Sequence, residues 1–348
     1  MRLDWKKVLS FLSIFLSVAV VIVVAFSNEE LTDAWKTLGE LKLPWLCCVL
    51  ACWAGYVLFE CLGSWLYLRR QGFSLSFFRA LVATLIGFFY SNITPGAAGG
   101  QPMQVHALYR SGVSVGYGSM AVTVRLMANQ LMASLIGLVL LLLNRDFVYQ
   151  QLGDMIWFVR VGLVINFAVV PLLLLAAFRL DWLRKAAAKL IAFGARIRLV
   201  RHPEKANAKV NESLDSFYEA FQELKKNPGQ LLIQLLCSLV SLLGLFGTVV
   251  FVYYAFGLRG TPWFRILTLS SLLFISVSYT PLPGASGAQE GGFLLYFKGV
   301  FTEGTIGLGL LIWRFFTFYL FLLVGLIALL AERLTRKRKQ KTGSADPV

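Results

Sequence analysis

The sequence predicts an all-α polytopic membrane protein: an inverted-topology repeat with two re-entrant Pro-Gly hairpins and about six full transmembrane helices. Three observations carry that expectation. Of 348 residues, 57% are hydrophobic and 15% charged, and several apolar runs exceed the roughly 18 residues that a bilayer crossing of about 30 Å demands. Two apolar runs are broken by one pattern, Thr94-Pro-Gly-Ala-Ala-Gly-Gly-Gln101 and Pro283-Gly-Ala-Ser-Gly-Ala-Gln289. The landmarks around each break also recur in order. Phe78-Arg79-Ala80-Leu81 precedes the first break and Phe264-Arg265-Ile266-Leu267 the second. Arg125 follows Pro95 by 30 residues and Arg314 follows Pro283 by 31, with Gly137-Leu and Gly325-Leu a further 12 and 11 residues on. Four landmarks at nearly one spacing mark an internal repeat.

The net charge of +15 raises the question of nucleic acid. Membrane proteins collect Lys and Arg in cytoplasmic loops, and no basic-aromatic groove is visible, so no nucleic-acid partner is expected. The cysteines (Cys47, Cys48, Cys52, Cys61 and Cys237) all fall in apolar runs, odd in number and without a Cys-x-x-Cys pair. That pattern argues against a disulfide framework and against zinc. With His106 and His202 far apart, no metal and no cofactor are expected.

Residues 1–76 are read as two transmembrane helices. An anchor over 8–26 follows the basic Arg2, Lys6 and Lys7, and no signal-type cleavage site comes after it. The acidic loop 27–43 belongs outside, and a second helix over 44–68 returns to Arg69-Arg70. Residues 77–143 form the first repeat, a hairpin over 77–110 and a helix over 117–143. If 77–110 crossed fully, the eleven cations of 179–229 would emerge outside, so it is read as re-entrant. Residues 144–178 give a near-neutral external loop to 155 and a helix over 156–178.

Residues 179–230 read as cytoplasmic basic amphipathic helices. In one, Leu180, Leu183, Ala187, Leu190, Ile191 and Phe193 alternate with cations, which suits either an anionic leaflet or packing on the bundle. The other shows Leu214, Phe217, Tyr218, Phe221 and Leu224 on one face before Asn227-Pro-Gly. Residues 231–263 carry the next crossing. Residues 264–331 form the second repeat, a hairpin over 264–300 and a helix over 305–331, and 332–348 is a basic cytoplasmic tail. This arrangement puts 24 of the 33 cations and both termini in the cytoplasm of a cell-membrane protein. The two hairpins then enter from opposite faces, a transporter arrangement with its site where the repeats meet.

Non-helical backbone at membrane depth is tolerated only where it is buried in protein or lines a wet cavity. Pro95 and Pro283 stop a half-helix, while Gly96, Gly99, Gly100, Gly284 and Gly287 allow close approach and unusual dihedrals. The half-helix N-termini that follow, near Gln101, Gln289 and Glu290, suit a phosphate. Arg125 and Arg314 are costly inside an apolar span and need a partner or an aqueous path. A guanidinium binds phosphate bidentately, so both are substrate-binding candidates. The other role open to them is an internal ion pair, Arg314 with Glu290 or Arg125 with Glu60. Asn129 and Gln130, one turn from Arg125, add polar lining, and Glu60 either meets a cationic group or neutralises an arginine. The aromatic last helix reads as packing and lipid-facing surface.

At these residues the chain resembles the transmembrane region of lysylphosphatidylglycerol synthases, found also as free-standing flippase-like membrane proteins. The resemblance covers about residues 8–331. Its markers are the segment from Thr94 to Pro102 followed by Arg125, and that from Pro283 to Gly291 followed by Arg314. Two departures stand out. Ala285 stands where many members have glycine, and Gln101 where many have an acid. The resemblance implies movement of a lipid, often aminoacylated phosphatidylglycerol, between leaflets. It also implies a membrane phospholipid as partner, with a homodimer or a separate lipid synthase as the protein partner. In two-part members a soluble domain transfers the aminoacyl group. Only a basic tail follows the last helix here, so no catalytic residue is expected. The alternative is a phosphatidylglycerol lysyltransferase or an accessory membrane subunit of an aminoacyl-phospholipid synthase.

Overall fold

The architecture comes from a computed structural model that describes residues 37–178, 180–196 and 203–341. Five described stretches are long and apolar enough to cross a membrane. They are α1 (Leu43–Arg70), α4 (Val115–Leu143), the run Arg145–Ala168, α9 (Pro228–Ala255) and the run Glu303–Leu334. The anchor expected over 8–26 lies outside the described residues. The protein is thus an all-α, multi-pass membrane protein, with bundle helices close to the expected spans.

Two further apolar helices are shorter than these five. α2 (Phe77–Ile93) and α10 (Trp263–Val277) have 17 and 15 residues, about 26 and 23 Å of helix against roughly 30 Å of hydrocarbon. Each runs into a Pro-Gly-Ala turn and is followed by a shorter helix that packs back against it, α3 (Gly100–Arg110) and α11 (Ala288–Tyr296). The two turns have nearly the same backbone. Gly96 lies at φ 57°, ψ 25° and Gly284 at φ 59°, ψ 19°. The next residues, Ala97 at φ 56° and Ala285 at φ 50°, are the two non-glycines with positive φ among the described residues. A left-handed alanine costs about 1–2 kcal/mol, so its presence at both tips is a structural signature of the duplication. The tips touch: the Gly96 N–H donates to the Pro281 carbonyl at 3.1 Å.

The repeats also pack crosswise. A Cβ added to Gly137 on α4 would fall 2.2 Å from Ile275 Cδ1 on α10, in the other repeat. The last helix runs through α12 (Glu303–Arg314), a π turn (Phe315–Tyr319) and α13 (Leu320–Lys341). A Cβ on its Gly325 would fall 2.6 Å from Phe89 Cβ and 2.9 Å from the Leu85 carbonyl on α2. The matched glycines therefore do matched work, seating the opposite repeat's hairpin.

The stretch 144–155, expected as a loop, is largely helical. α5 (Arg145–Leu152) and a 3-10 turn (Gly153–Met155) lead into α6 (Ile156–Phe178). Val148 and Leu152 are buried, and that apolar pair makes the short helix pack rather than dangle. α7 (Leu180–Arg196) and α8 (Pro203–Lys226) are the two amphipathic helices. α8 packs on α4, where Gly116 admits Ser216 and the Phe217 backbone, and Phe221 and Leu224 are buried.

Candidate functional site

In the second repeat, α12 carries Arg314 into the interior, where it is 1% exposed. Its Nε forms an ion pair with Glu290 Oε1 at 2.7 Å. Nη1 donates to Gln289 Oε1 at 3.0 Å, and Nη2 to the Gly284 carbonyl at 3.3 Å. The guanidinium also lies 4.6 Å from the Phe318 ring centroid, a cation–π distance. Glu290 Oε2 meanwhile accepts the Gly287 N–H at 2.6 Å, capping α11. One carboxylate thus bridges a half-helix N-terminus and an arginine, and the Arg314–Glu290 pair itself is buried.

The first repeat holds Arg125 differently. Nη1 pairs with Glu60 Oε2 of α1 at 2.5 Å, and Nη2 donates to Gln104 Oε1 of α3 at 2.8 Å. Glu60, 1% exposed, also accepts from Asn129 Nδ2 at 2.8 Å and Ser241 Oγ at 3.0 Å, both at Oε1. Gln104 is anchored in turn by Thr84 Oγ1 at 3.3 Å. The carboxylate comes from a bundle helix rather than from the hairpin. Counting from the proline, the position of Glu290 is taken in the first repeat by Pro102, and α3 has no acid in its first turn.

Between the tips lies a cavity of about 350 Å³. Arg125, Asn129, Gln130, Gln101, Gln104 and Gln289 supply its polar wall, with Gly96, Gly100 and Gly284 at the tips. Phe88, Leu126, Leu245, Leu273, Phe274 and Phe321 supply the apolar one. Trp313 and Thr317 complete it, so part of the aromatic last helix faces this space rather than lipid. Binding sites of this kind combine an apolar body with a few convergent polar groups.

Of the predicted substrate-binding residues, Arg125, Asn129, Gln101 and Gln289 line the cavity. Arg314 and Glu290 do not, because they satisfy each other behind the second tip. Glu60 also lies behind the wall, as the partner of Arg125. Both open ion-pair readings describe the geometry. The remaining hairpin residues shape the turns. Pro95 and Pro283 begin them, the Gly99 N–H donates to Thr94 Oγ1 at 2.9 Å, and Gly287, at φ 85°, caps α11. Gly100 allows α3 to lie on α2, since a Cβ there would meet the Gly87 carbonyl at 2.8 Å. Sequence reasoning missed Gln104 and Ser241. An amide one turn beyond Gln101 and a serine in an apolar helix carry no motif, and only the geometry assigns them.

A sequence model of the lysylphosphatidylglycerol synthase TM region matches residues 10–325. A UPF0104 membrane protein of Archaeoglobus fulgidus is 25% identical over 323 residues, covering 91% of this chain and 95% of that protein. No solved structure matches the chain.

Proposed function

We infer the function from one premise: the chain belongs to the family of lysylphosphatidylglycerol synthase transmembrane regions, matched over nearly its whole length. On that premise we propose a flippase-like lipid translocase of the cell membrane, both termini cytoplasmic. It moves an anionic or aminoacylated phospholipid, or another phosphate-bearing lipid, between leaflets.

The observation that carries this reading is the unequal filling of two equivalent seats. In the second repeat Glu290 occupies the space between a half-helix N-terminus and an arginine. In the first repeat no acid of the hairpin does so, and Arg125, Gly100 and Gln101 all line the cavity. A phosphodiester suits that seat, because a guanidinium and the N-terminal end of a half-helix both favour phosphate oxygens. Asn129, Gln130 and Gln289 suit the hydroxyl or amine of a headgroup, and the aromatic and aliphatic wall suits the glycerol end of the chains. Tips that meet end to end are what hairpins inserted from opposite faces would give, and rocking one repeat against the other would open the seat to each leaflet in turn.

The test is dithionite quenching of fluorescent phosphatidylglycerol in liposomes containing the purified protein. Wild-type protein should make inner-leaflet lipid accessible, and Arg125→Ala should slow this at least tenfold. Equal rates with and without protein would overturn the reading. Formation of lysylphosphatidylglycerol from lysyl-tRNA and phosphatidylglycerol would instead make the protein a transferase.

A further inference from the structure

The seam between α1 and α9 is polar although both helices are apolar overall. α9 turns Gln230, Gln234, Ser238 and Ser241 to one side, at intervals of four, four and three residues, and all are at most 3% exposed. Three contacts fix the register against α1. Ser241 Oγ reaches Glu60, Gln234 fills the space over Gly63, and Gln230 Oε1 accepts from Arg70 Nη1 at 2.8 Å. On α1, Ser64 and Tyr67 continue the file from Glu60 toward Arg70. The amide nitrogens of Gln230 and Gln234 and the hydroxyls of Ser64, Tyr67 and Ser238 are buried without a protein partner among the described residues. Tyr67 has Tyr117 and Glu223 near its hydroxyl, and the other four groups would be expensive in a dry seam, where polar partners of this kind hold buried water. Ten residues of helix separate Glu60 from Arg70, so the file is about 15 Å long.

We propose that Glu60 is a proton-binding site reached along this file, and that it takes up a proton when an anion engages Arg125. This rests on the anion seat proposed above. The charged and titratable groups around Glu60 are few: Arg125 from α4, Cys237 from α9, and Tyr56 and Cys61 from its own helix. α2 and α3 contribute the neutral Thr84 and Gln104, and α13 the ring of Phe321. Among the described residues, Arg125 is therefore the one cation paired with this buried carboxylate. A phosphate that draws the guanidinium toward itself leaves Glu60 buried and uncompensated, and such a group neutralises. One proton passes from water at the Arg70 end to a Glu60 oxygen for each anion bound, so the charge change is zero. Because one proton is taken up with each anion, affinity rises as pH falls, by up to tenfold per unit.

The experiment is calorimetric titration of the detergent-solubilised protein with dihexanoylphosphatidylglycerol, in two buffers of different ionisation enthalpy. Inorganic phosphate serves as a second arm to separate a lipid headgroup from a free anion. Uptake of about one proton per ligand is expected in the wild type, and uptake that persists undiminished in Glu60→Gln overturns the proposal. Wild-type binding with no proton uptake overturns the proposal and leaves the anion seat standing. Absence of binding by either probe counts against the anion seat itself. The path has its own readout, methanethiosulfonate labelling of Gln234→Cys and Ser238→Cys, with the modified residue identified by mass spectrometry. Labelling at both positions supports a wet file, and unreactive cysteines in folded protein overturn it whatever the calorimetry gives.

Discussion

At the first hairpin tip, Pro95, Gly96 and Ala97 trace the same backbone path as Pro283, Gly284 and Ala285 at the second, yet the arginines behind them are held differently. Arg314 finds every partner within its own repeat: Glu290, Gln289 and the Gly284 carbonyl. Arg125 draws on three elements, α1 for Glu60, α3 for Gln104 and its own α4 for Asn129, which shares Glu60. A local cluster fixes one tip. The other is held by a cluster assembled across the bundle, on the cavity wall. Duplication supplied the scaffold, and the position of one carboxylate divided the labour.

The largest effect that would break this contrast comes from Glu290→Ala. It strands Arg314 in the interior and should cost about 3–5 kcal/mol, read as a fall in the thermal unfolding midpoint in detergent micelles. Replacing both partners, Arg314→Met with Glu290→Leu, should recover most of the loss. If Glu290→Ala is neutral, the second cluster is not structural.

The tips themselves give the next test. Gly96→Ala adds only a left-handed Cβ in open space, for about 1–2 kcal/mol. Gly284→Ala adds the same strain and also drives a Cβ to 2.1 Å from Phe318 Cε2, so it should cost about 1–3 kcal/mol more. Unfolding midpoints of the pair measure the difference, and Phe318→Leu should narrow it.

The seating glycines differ more subtly. Gly137 faces the end of the Ile275 side chain, which can turn aside, so Gly137→Ala should be near neutral once helix propensity returns about 1 kcal/mol. Gly325 faces the Leu85 carbonyl, which cannot, and Gly325→Ala should destabilise by about 1–3 kcal/mol in the same assay. The smallest expected change is a gain. Ala97→Gly and Ala285→Gly each exchange left-handed strain for a more flexible unfolded chain and should stabilise by about 0.5 kcal/mol.

Much of this was legible in the sequence because it follows from cost. A proline and several glycines in an apolar run have to be a break, and an arginine there needs a partner or an aqueous path, so Glu60 and Glu290 could be named as the ion-pair alternative to a bound phosphate. The spacing of Gly137 and Gly325 marked a repeat, though not that each serves the other repeat's hairpin. Which arginine faces the cavity was illegible, since spacing treats Arg125 and Arg314 alike and only burial separates them. The stripe from Gln230 to Ser241 was hidden by the apolar average of α9. The helical character of 145–152 was masked by its neutral composition, because a two-turn helix held by Val148 and Leu152 has too short a pattern to register.

The bond from the Gly96 amide to the Pro281 carbonyl has one more consequence. It joins the halves of the molecule main chain to main chain, so no side-chain replacement deletes it short of proline at 96, whose fixed negative φ the turn cannot accept. Families compared column by column would show nothing there, however strongly it ties one half to the other. Synthetic chemistry can reach it, by exchanging that amide for an ester. A swing that parts the halves has to let go of it, whereas one that carries the tips together leaves it whole.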